Sequence, residues 1–247
     1  MSGHERASNA AGLSVPAALA TGEIEVLGAL PESSNAALLV RCVTPEESVL
    51  AVYKPMRGEA PLWDFPDGTL HRREVAAFEV ARALGWPRVP PTVLREGPFG
   101  PGSMQLFVNF DPAEHFFTLE VEHADTFRRV AMFDLAVNNA DRKGGHCLLD
   151  EDGGIWVIDH GVCFAVEPKL RTVIWTFVDE ALPADAVDDL SRVRTSLEEG
   201  GDLAATLGAL LAPDEVAATA ERIDRLLADG RFPEPERGVR PFPWPPI

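Results

Sequence analysis

The chain has 247 residues, of which 46% are hydrophobic, so it is long enough to bury a substantial core as one domain or as two lobes. Its formal net charge is −17, and an acidic surface repels nucleic-acid phosphates and anionic lipids, so we expect neither as a direct partner. No run approaches the roughly 20 apolar residues that membrane insertion needs. The three cysteines form no C-x-x-C pair, which favours a reducing, cytoplasmic location.

The first 21 residues are rich in Ala, Ser and Gly and lack the basic start and unbroken apolar run of a signal peptide. We expect them to form a disordered lead-in. Two strands are predicted between Glu23 and Val43, bent around the turn Pro31-Glu32-Ser33-Ser34-Asn35.

A strand over Val49–Tyr53 is predicted to end at Lys54, because the proline that follows cannot continue a sheet ladder. The next element is a helix from about Thr69 to Leu84, with apolar residues at helical spacing and Gly85 as its stop. Glu74 lies on this helix. Lys54 is therefore either a solvated charge at a strand end or the partner of Glu74.

Two more strands, Val89–Arg95 and Ser103–Phe110, flank a turn rich in Gly and Pro. The break at Asp111-Pro112 is interpreted as the linker between two parts of the chain. A helix over Ala124–Val137 then carries Asp134 on an otherwise apolar surface. Because a buried carboxylate must be paired, we expect Asp134 to brace the loop that follows, through its backbone or through Arg142.

The most informative segment runs from Asn138 to Gly161. Two short apolar strands, Cys147–Leu149 and Ile155–Ile158, are separated by Asp150-Glu151-Asp152-Gly153-Gly154, which is a strong hairpin turn signal. Pairing of these strands carries Asp141, before the first, and Asp159, after the second, to the same end of the hairpin. Two carboxylates so placed are typical of a phosphoryl-transfer site.

After Trp175 the sequence predicts three helices, Pro183–Leu197, Leu203–Leu211 and Pro213–Ala228. The tail from Arg231 to Ile247 contains six prolines, so it is predicted to be extended. It either packs against the body or serves as a docking peptide for a partner.

In their order, these motifs resemble phosphatidylinositol 3/4-kinase-like proteins and the related HipA-type kinases, whose loops read Asp-Arg-His-x-x-Asn and then Ile-Asp-Phe-Gly. Ala51-Val52-Tyr53-Lys54-Pro55 resembles the strand with the nucleotide-binding lysine, and Arg72-Arg73-Glu74-Val75-Ala76-Ala77-Phe78 resembles the helix with its glutamate partner. The whole order, from about Gly22 to Trp175, is similar to a family of small actinobacterial proteins placed in that superfamily.

The resemblance implies an α+β fold of the two-lobed protein-kinase-like type. The N-lobe, residues 22–110, would hold an antiparallel sheet and one helix that bind nucleotide. The C-lobe, residues 111–230, would be mainly helical and carry the catalytic and metal-binding loops, with 231–247 as a proline-rich tail.

The implied cofactors are ATP and a divalent metal, Mg²⁺ or Mn²⁺. The implied catalytic residues are Asp141, which orients or deprotonates the acceptor, and Arg142 and Lys143, which stabilise charge or anchor the loop. The metal ligands would be Asp159 and His146. In nucleotide binding, Lys54 with Glu74 would hold the phosphates. Ser33, Ser34 and Asn35 form either a phosphate-covering turn or an ordinary hairpin. Backbone groups near Gln105 to Val108 would contact the adenine, with Phe107 either above or beside the base or in the core.

The chain differs from the family pattern at two positions. Lys143 replaces the histidine after Asp-Arg and keeps a positive charge there, and His146 replaces the metal-binding asparagine. Because imidazole replaces an oxygen ligand, the sequence favours Mn²⁺ or Zn²⁺ over Mg²⁺.

Three functions from different classes fit the sequence. The leading hypothesis is an ATP-dependent kinase acting on a protein or small-molecule hydroxyl. The second is a nucleotide-binding pseudokinase with a regulatory role, and the third is a metal-dependent hydrolase or nucleotidyl transferase. ATP binding separates the first two from a hydrolase, and transfer of the γ-phosphate separates the first from the second.

Overall fold

A five-stranded antiparallel sheet forms the first part of the chain in the computed structural model, which describes residues 15–30, 36–238 and 240–247. The spatial order of the strands is β1-β2-β3-β5-β4. Their bounds are β1 (Glu23–Ala29), β2 (Leu38–Val43), β3 (Ser48–Pro55), β4 (Thr92–Gly97) and β5 (Gly100–Leu106). The turn with Ser33, Ser34 and Asn35 lies outside the described residues.

The two faces of this sheet have different coverings. On one face a short helix, α1 (Ala17–Thr21), places Ala18 and Leu19 in a fully buried cluster with strand residues such as Tyr53. The described part of the expected disordered lead-in is therefore an ordered helix, because it covers apolar side chains of the sheet. The opposite face carries Lys54, since side chains alternate along a strand.

The helix α2 (Leu70–Leu84) follows a loop after β3. Gly85 ends it with φ of 85°, in the left-handed region that glycine adopts easily, and donates its N–H to Ala81 O at 2.8 Å. The helix predicted from the sequence is confirmed within one residue of its start. Most of its residues are buried in one core together with residues of the second half of the chain.

The second half is mainly helical. It contains one short hairpin, β6 (Cys147–Leu149) and β7 (Ile155–Val157), whose antiparallel register pairs Cys147 with Val157. Its helices are α3 (Phe116–Leu119), α4 (Ala124–Val137), α5 (Ala184–Ser196), α6 (Asp202–Gly208) and α7 (Pro213–Asp229). The predicted α+β class, an antiparallel sheet with one long helix followed by a helical part, is confirmed. No helix among the described residues has the length and apolar character to cross a membrane.

Buried polar contacts fix helix α2 to the second half. Arg73, whose side chain is 1% exposed, donates to Cys163 O at 2.7 Å and pairs with Glu215 Oε1 of α7 at 2.5 Å. At the other end of the helix, Trp86 Nε1 donates to Asp189 Oδ2 of α5 at 2.9 Å. Buried polar groups lose stability when they are separated from their partners, so these contacts hold helix α2 in one position against the second half of the chain.

The proline-rich tail packs against the body in the described residues. Pro241 O accepts hydrogen bonds from Thr172 N at 3.0 Å and from Trp175 Nε1 at 3.1 Å. Pro246 O accepts from Gly144 N at 2.7 Å. The tail therefore joins the segment after Asp159 to the loop after Asp141.

Arg73→Ala should lower the free energy of unfolding by about 3 kcal/mol or more, because it leaves Glu215 without its partner in a largely buried position. The matched control is Arg82→Ala on the same helix, where the side chain is 56% exposed and pairs with Glu79. That loss should stay below about 1 kcal/mol. Chemical denaturation of both variants measures the difference, and equal losses would show that Arg73 is not an anchor.

Candidate active site

Lys54 lies between two carboxylates that come from opposite halves of the chain. Its Nζ is hydrogen-bonded to Glu74 Oε1 and lies 3.1 Å from Asp159 Oδ1. The second oxygen of Glu74 accepts the backbone N–H of His160 at 3.0 Å. The structure thus brings together strand β3, helix α2 and the end of β7 at one ammonium group.

The charges of this cluster are mutually stabilised. Burial lowers the pKa of Lys54, but Asp159 and Glu74 outweigh this effect and hold the pKa above its ordinary value. Lys54 in turn holds the pKa of Asp159 well below its usual range, against the opposing effect of burial. The Asp159 side chain remains 43% exposed. Its ionised carboxylate is therefore open to solvent, although one of the two oxygens, Oδ1, contacts Lys54.

The backbone at Asp159 is left-handed, with φ of 63°. Asp adopts this region more readily than most residues, although the conformation carries a small cost. Since the hairpin ends at Val157, the turn at Asp159 directs the carboxylate toward Lys54 and leaves the next N–H to Glu74.

Arg142 is fully buried beneath the loop that carries Asp141. Its Nε and Nη2 each lie 2.9 Å from an oxygen of Asp134, and its Nη1 donates to Ile158 O at 2.9 Å. The prediction that Asp134 braces the loop through Arg142 is confirmed. Of the two roles that the resemblance implied for Arg142, charge stabilisation or loop anchoring, these contacts show the anchoring role, because they occupy its guanidinium.

Two asparagines that sequence reasoning did not single out complete this scaffold. Asn139 donates to Asp134 Oδ1 at 3.0 Å and accepts the backbone N–H of Asp141 at 3.0 Å. Asn138 has φ of 53° at the end of α4, and its side chain donates to Ala165 O at 2.9 Å. Their position just before Asp141 is a usable signal, because Asn favours helix ends and turns.

Asp141 lies at the mouth of the site with its side chain 34% exposed. Lys143 Nζ lies 3.5 Å from Asp141 Oδ2. Burial raises the pKa of Asp141, and Lys143 offsets part of that increase. The carboxylate is thus more basic than an ordinary aspartate, which suits a group that accepts a hydrogen bond or a proton from an acceptor hydroxyl.

His146 approaches Asp159 from the loop that follows Asp141. Its Nε2 lies 3.4 Å from Asp159 Oδ2, and its Nδ1 accepts the backbone N–H of Lys143 at 3.4 Å. Burial lowers the pKa of His146 to about 4, so the imidazole is neutral at pH 7. A divalent cation between this imidazole and the carboxylate oxygen would need His146 Nε2 to be unprotonated, and it would take its remaining ligands from phosphate and water.

The residues expected at the adenine separate into two groups. Gln105 lies within the sheet between Val52 and Thr92, and its side chain donates to Thr92 Oγ1 at 2.9 Å. Its assignment to the nucleotide site is corrected, since it sits in the sheet interior. Phe107 and Val108 follow the end of β5. Phe107 N donates to Leu50 O at 2.9 Å, whereas Val108 makes no hydrogen bond within the described part of the chain.

A cavity of about 250 Å³ has a lining that includes neither Lys54 nor Asp159. It is bordered by helices α4 and α7, the segment after Asp159 and the tail, and Leu170, Trp175 and Leu226 are among its lining residues. The candidate site is therefore the cluster of Lys54, Glu74 and Asp159, where the sheet, helix α2 and the end of the hairpin meet, and not this cavity.

His160 supplies a test of the scaffold by pH. Because an arginine only donates, the 2.7 Å contact of Arg142 Nη2 with His160 Nε2 requires a neutral imidazole that accepts. Burial, reinforced by Arg142, lowers the pKa of His160 well below its ordinary value. As the pH falls, His160 therefore becomes protonated in the unfolded chain before it does in the folded one. The stability that neutral His160 gives the fold is present above about pH 6.5 and is lost as the pH falls below it.

The wild type should accordingly lose about 1 kcal/mol more than His160→Gln between pH 6.5 and 5.5. Denaturant unfolding at several pH values measures both slopes. His146 also titrates below its ordinary range, but it is present in both proteins and cancels in the comparison. Equal slopes would show that His160 is not held neutral by Arg142.

No family model matches the chain. Protein Rv2133c of Mycobacterium tuberculosis (strain ATCC 25618 / H37Rv) is 39% identical over 264 residues, which cover 93% of this chain and 94% of that protein. A crystal structure of the Helicobacter pylori proinflammatory kinase CtkA aligns with a TM-score of 0.52 and 11% identity, over 85% of this chain and 93% of that one. The second likeness shows a kinase-like fold. The chain therefore belongs to the family of Protein Rv2133c.

Proposed function

We propose that this protein is an ATP-dependent phosphotransferase of the phosphatidylinositol 3/4-kinase-like superfamily, which transfers the γ-phosphate to a hydroxyl of a protein or small molecule. The observation that carries the proposal is the position of Lys54 between Glu74 and Asp159. A lysine fixed by a helix glutamate beside a second, partly exposed carboxylate is the arrangement that holds nucleotide phosphates in kinases. The kinase-like fold supports this reading.

In this proposal each residue has a distinct task. Lys54, oriented by Glu74, binds the α- and β-phosphates. Asp159 and His146 hold a divalent cation, which neutralises phosphate charge when bound. Asp141 aligns the acceptor hydroxyl and takes its proton, and Lys143 offsets the negative charge that gathers beside Asp141.

The base would lie where the chain leaves the sheet. Val108 has a backbone N–H and C=O without partners among the described residues, as adenine recognition by main-chain groups requires. Phe107 is half-buried beside it and supplies an apolar surface. Ser33, Ser34 and Asn35 remain proposed as a cover for the phosphates.

A nucleotide-binding pseudokinase is the second candidate, and one observation favours it. His146 Nδ1 accepts a hydrogen bond from the backbone N–H of Lys143. The single proton of the neutral imidazole is therefore on Nε2, which is directed at Asp159. A cation bound at that nitrogen would require the other tautomer and the loss of this hydrogen bond. The hydrolase reading is not proposed, since within the described ranges no three His, Cys, Asp or Glu side chains form a cluster suited to a metal.

Lys54→Ala should abolish most of the thermal stabilisation that ATP and a divalent metal give the wild type, because the stabilisation scales as RT ln(1 + [L]/Kd). Arg57→Ala is the matched control, since Arg57 is an exposed cation only three positions away. Melting temperatures over a series of ATP concentrations provide the measurement. An unchanged shift in Lys54→Ala would remove Lys54 from the nucleotide site.

Asp159→Asn and Asp141→Asn should fail at different steps. Asp159→Asn should lose metal-dependent ATP affinity, whereas Asp141→Asn should keep that affinity and lose transfer or ATP hydrolysis by roughly 10²-fold or more. Calorimetric ATP binding and nucleotide turnover on both variants measure the two quantities. If the wild type binds ATP but turns over no faster than Asp141→Asn, the transferase proposal fails and the pseudokinase reading stands.

A further inference from the structure

Arg171 is held directly against the loop that carries Asp141. Its N–H donates to Asn139 O at 2.9 Å, and its carbonyl accepts the N–H of Arg142 at 2.9 Å. Asp141 therefore lies between Asn139 and Arg142, the two residues whose backbones are hydrogen-bonded to Arg171. The position of Arg171 relative to Asp141 is therefore set by backbone contacts and does not depend on a flexible side chain.

We infer that the side chain of Arg171 points away from the small cavity that its two neighbours line. Its neighbours Leu170 and Thr172 both line cavities on the opposite, core side, next to Leu135 and Trp175. In an extended segment, successive side chains point to opposite sides. In agreement with this direction, the positive charge of Arg171 lowers the pKa of Asp141 in part, against the larger raising effect of burial.

The guanidinium of Arg171 makes no hydrogen bond and no ion pair within the described residues, and its Nε is buried. Four other arginines, Arg57, Arg72, Arg225 and Arg237, also show no partner there, but all four are exposed to water. Lys169, two positions before Arg171, is paired with Asp64 at 3.1 Å. A partly desolvated, unpaired cation carries a free-energy cost, which an anion from outside the chain would remove.

The chain offers ample carboxylates for such a cation, with 39 Asp and Glu against 22 Lys and Arg. That Arg171 forms no ion pair within the described residues is therefore informative. In the proposed function the nucleotide phosphates already have a cation in Lys54, which contacts Asp159. An anion at Arg171 would instead belong to the molecule whose hydroxyl reaches Asp141.

Building on the proposed function, we propose that Arg171 is the acceptor-recognition residue and that the acceptor carries an anionic group, a phosphate or a carboxylate, near its reacting hydroxyl. The hydroxyl oxygen forms a bond to the γ-phosphorus as the bond from that phosphorus to the β,γ-bridging oxygen breaks. The hydroxyl proton passes to Asp141, and ADP leaves with the electron pair of the broken bond. Arg171 takes no part in these bond changes and fixes the anion that positions the hydroxyl.

Inorganic phosphate serves as the probe, with the nucleotide site first filled by a non-hydrolysable ATP analogue and metal so that the three nucleotide phosphate positions are occupied. Phosphate should then raise the melting temperature of the wild type beyond an equal ionic strength of chloride. Arg171→Ala should weaken the apparent phosphate affinity by roughly tenfold or more, and Arg171→Lys should retain part of it. Arg225→Ala, which removes an exposed unpaired arginine, should behave as the wild type.

Two results would overturn the inference. If phosphate shifts Arg171→Ala as much as the wild type, or shifts neither, Arg171 is not an anion site. If Arg171→Ala instead loses the shift given by the ATP analogue itself, as expected for Lys54→Ala, Arg171 belongs to the nucleotide site. Failure of the proposed function gives a different pattern. Without a nucleotide site, the wild type shows no shift with the ATP analogue; without transfer, it binds the analogue but turns ATP over no faster than Asp141→Asn, whatever phosphate does at Arg171.

Discussion

The contact of one lysine with two carboxylates is the constraint on which the rest of this structure depends. Lys54 comes from the sheet, Glu74 from the long helix of the first half, and Asp159 from the end of the hairpin in the second half. One positive and two negative groups in a partly buried place are stable only when the ammonium group contacts both carboxylates. Desolvation penalises every arrangement in which a charge loses its partner. The strand, the helix and the hairpin must therefore meet at this point.

Two buried arginines fix the helix and the loop around this cluster of Lys54, Glu74 and Asp159. Arg73 ties the helix to the second half through Glu215, and Arg142 ties the loop with Asp141 to Asp134 and to the carbonyl of Ile158. Both guanidinium groups are buried, so each adds specificity of geometry more than net stability. As a consequence Lys54, Glu74 and Asp159 are held together, while the side chains of Asp159 and Asp141 stay partly exposed to solvent.

Much of this arrangement could be predicted from the sequence where a local signal was strong. Gly85 and the helical spacing of apolar residues marked the helix, and the acidic, glycine-rich turn marked the hairpin that brings Asp141 and Asp159 to one end. Asp134 was found because a carboxylate on an apolar helix face needs a partner. The family resemblance implied a kinase-like fold, and the likeness to the CtkA structure shows that fold.

The remaining features depend on contacts that no local pattern records. Helix α1 forms because Ala18 and Leu19 cover the sheet, which a composition rich in small residues does not reveal. The resemblance left two roles open for Arg142, charge stabilisation or loop anchoring, because only the fold shows that its side chain is buried against Asp134, eight positions earlier. Gln105 was placed at the base, but the strand ends at Leu106, so only the residues after it leave the sheet.

The most direct test of the account is to incubate the full chain with γ-labelled ATP, Mg²⁺ or Mn²⁺ and a cell lysate, and to follow where the label goes. If Lys54, Asp141 and Asp159 form a phosphotransferase site, the label should move from ATP to a hydroxyl-linked acceptor in the wild type and stay at background in Asp141→Asn. Retention of the label in ATP, under conditions where the wild type demonstrably binds the nucleotide, would contradict the account.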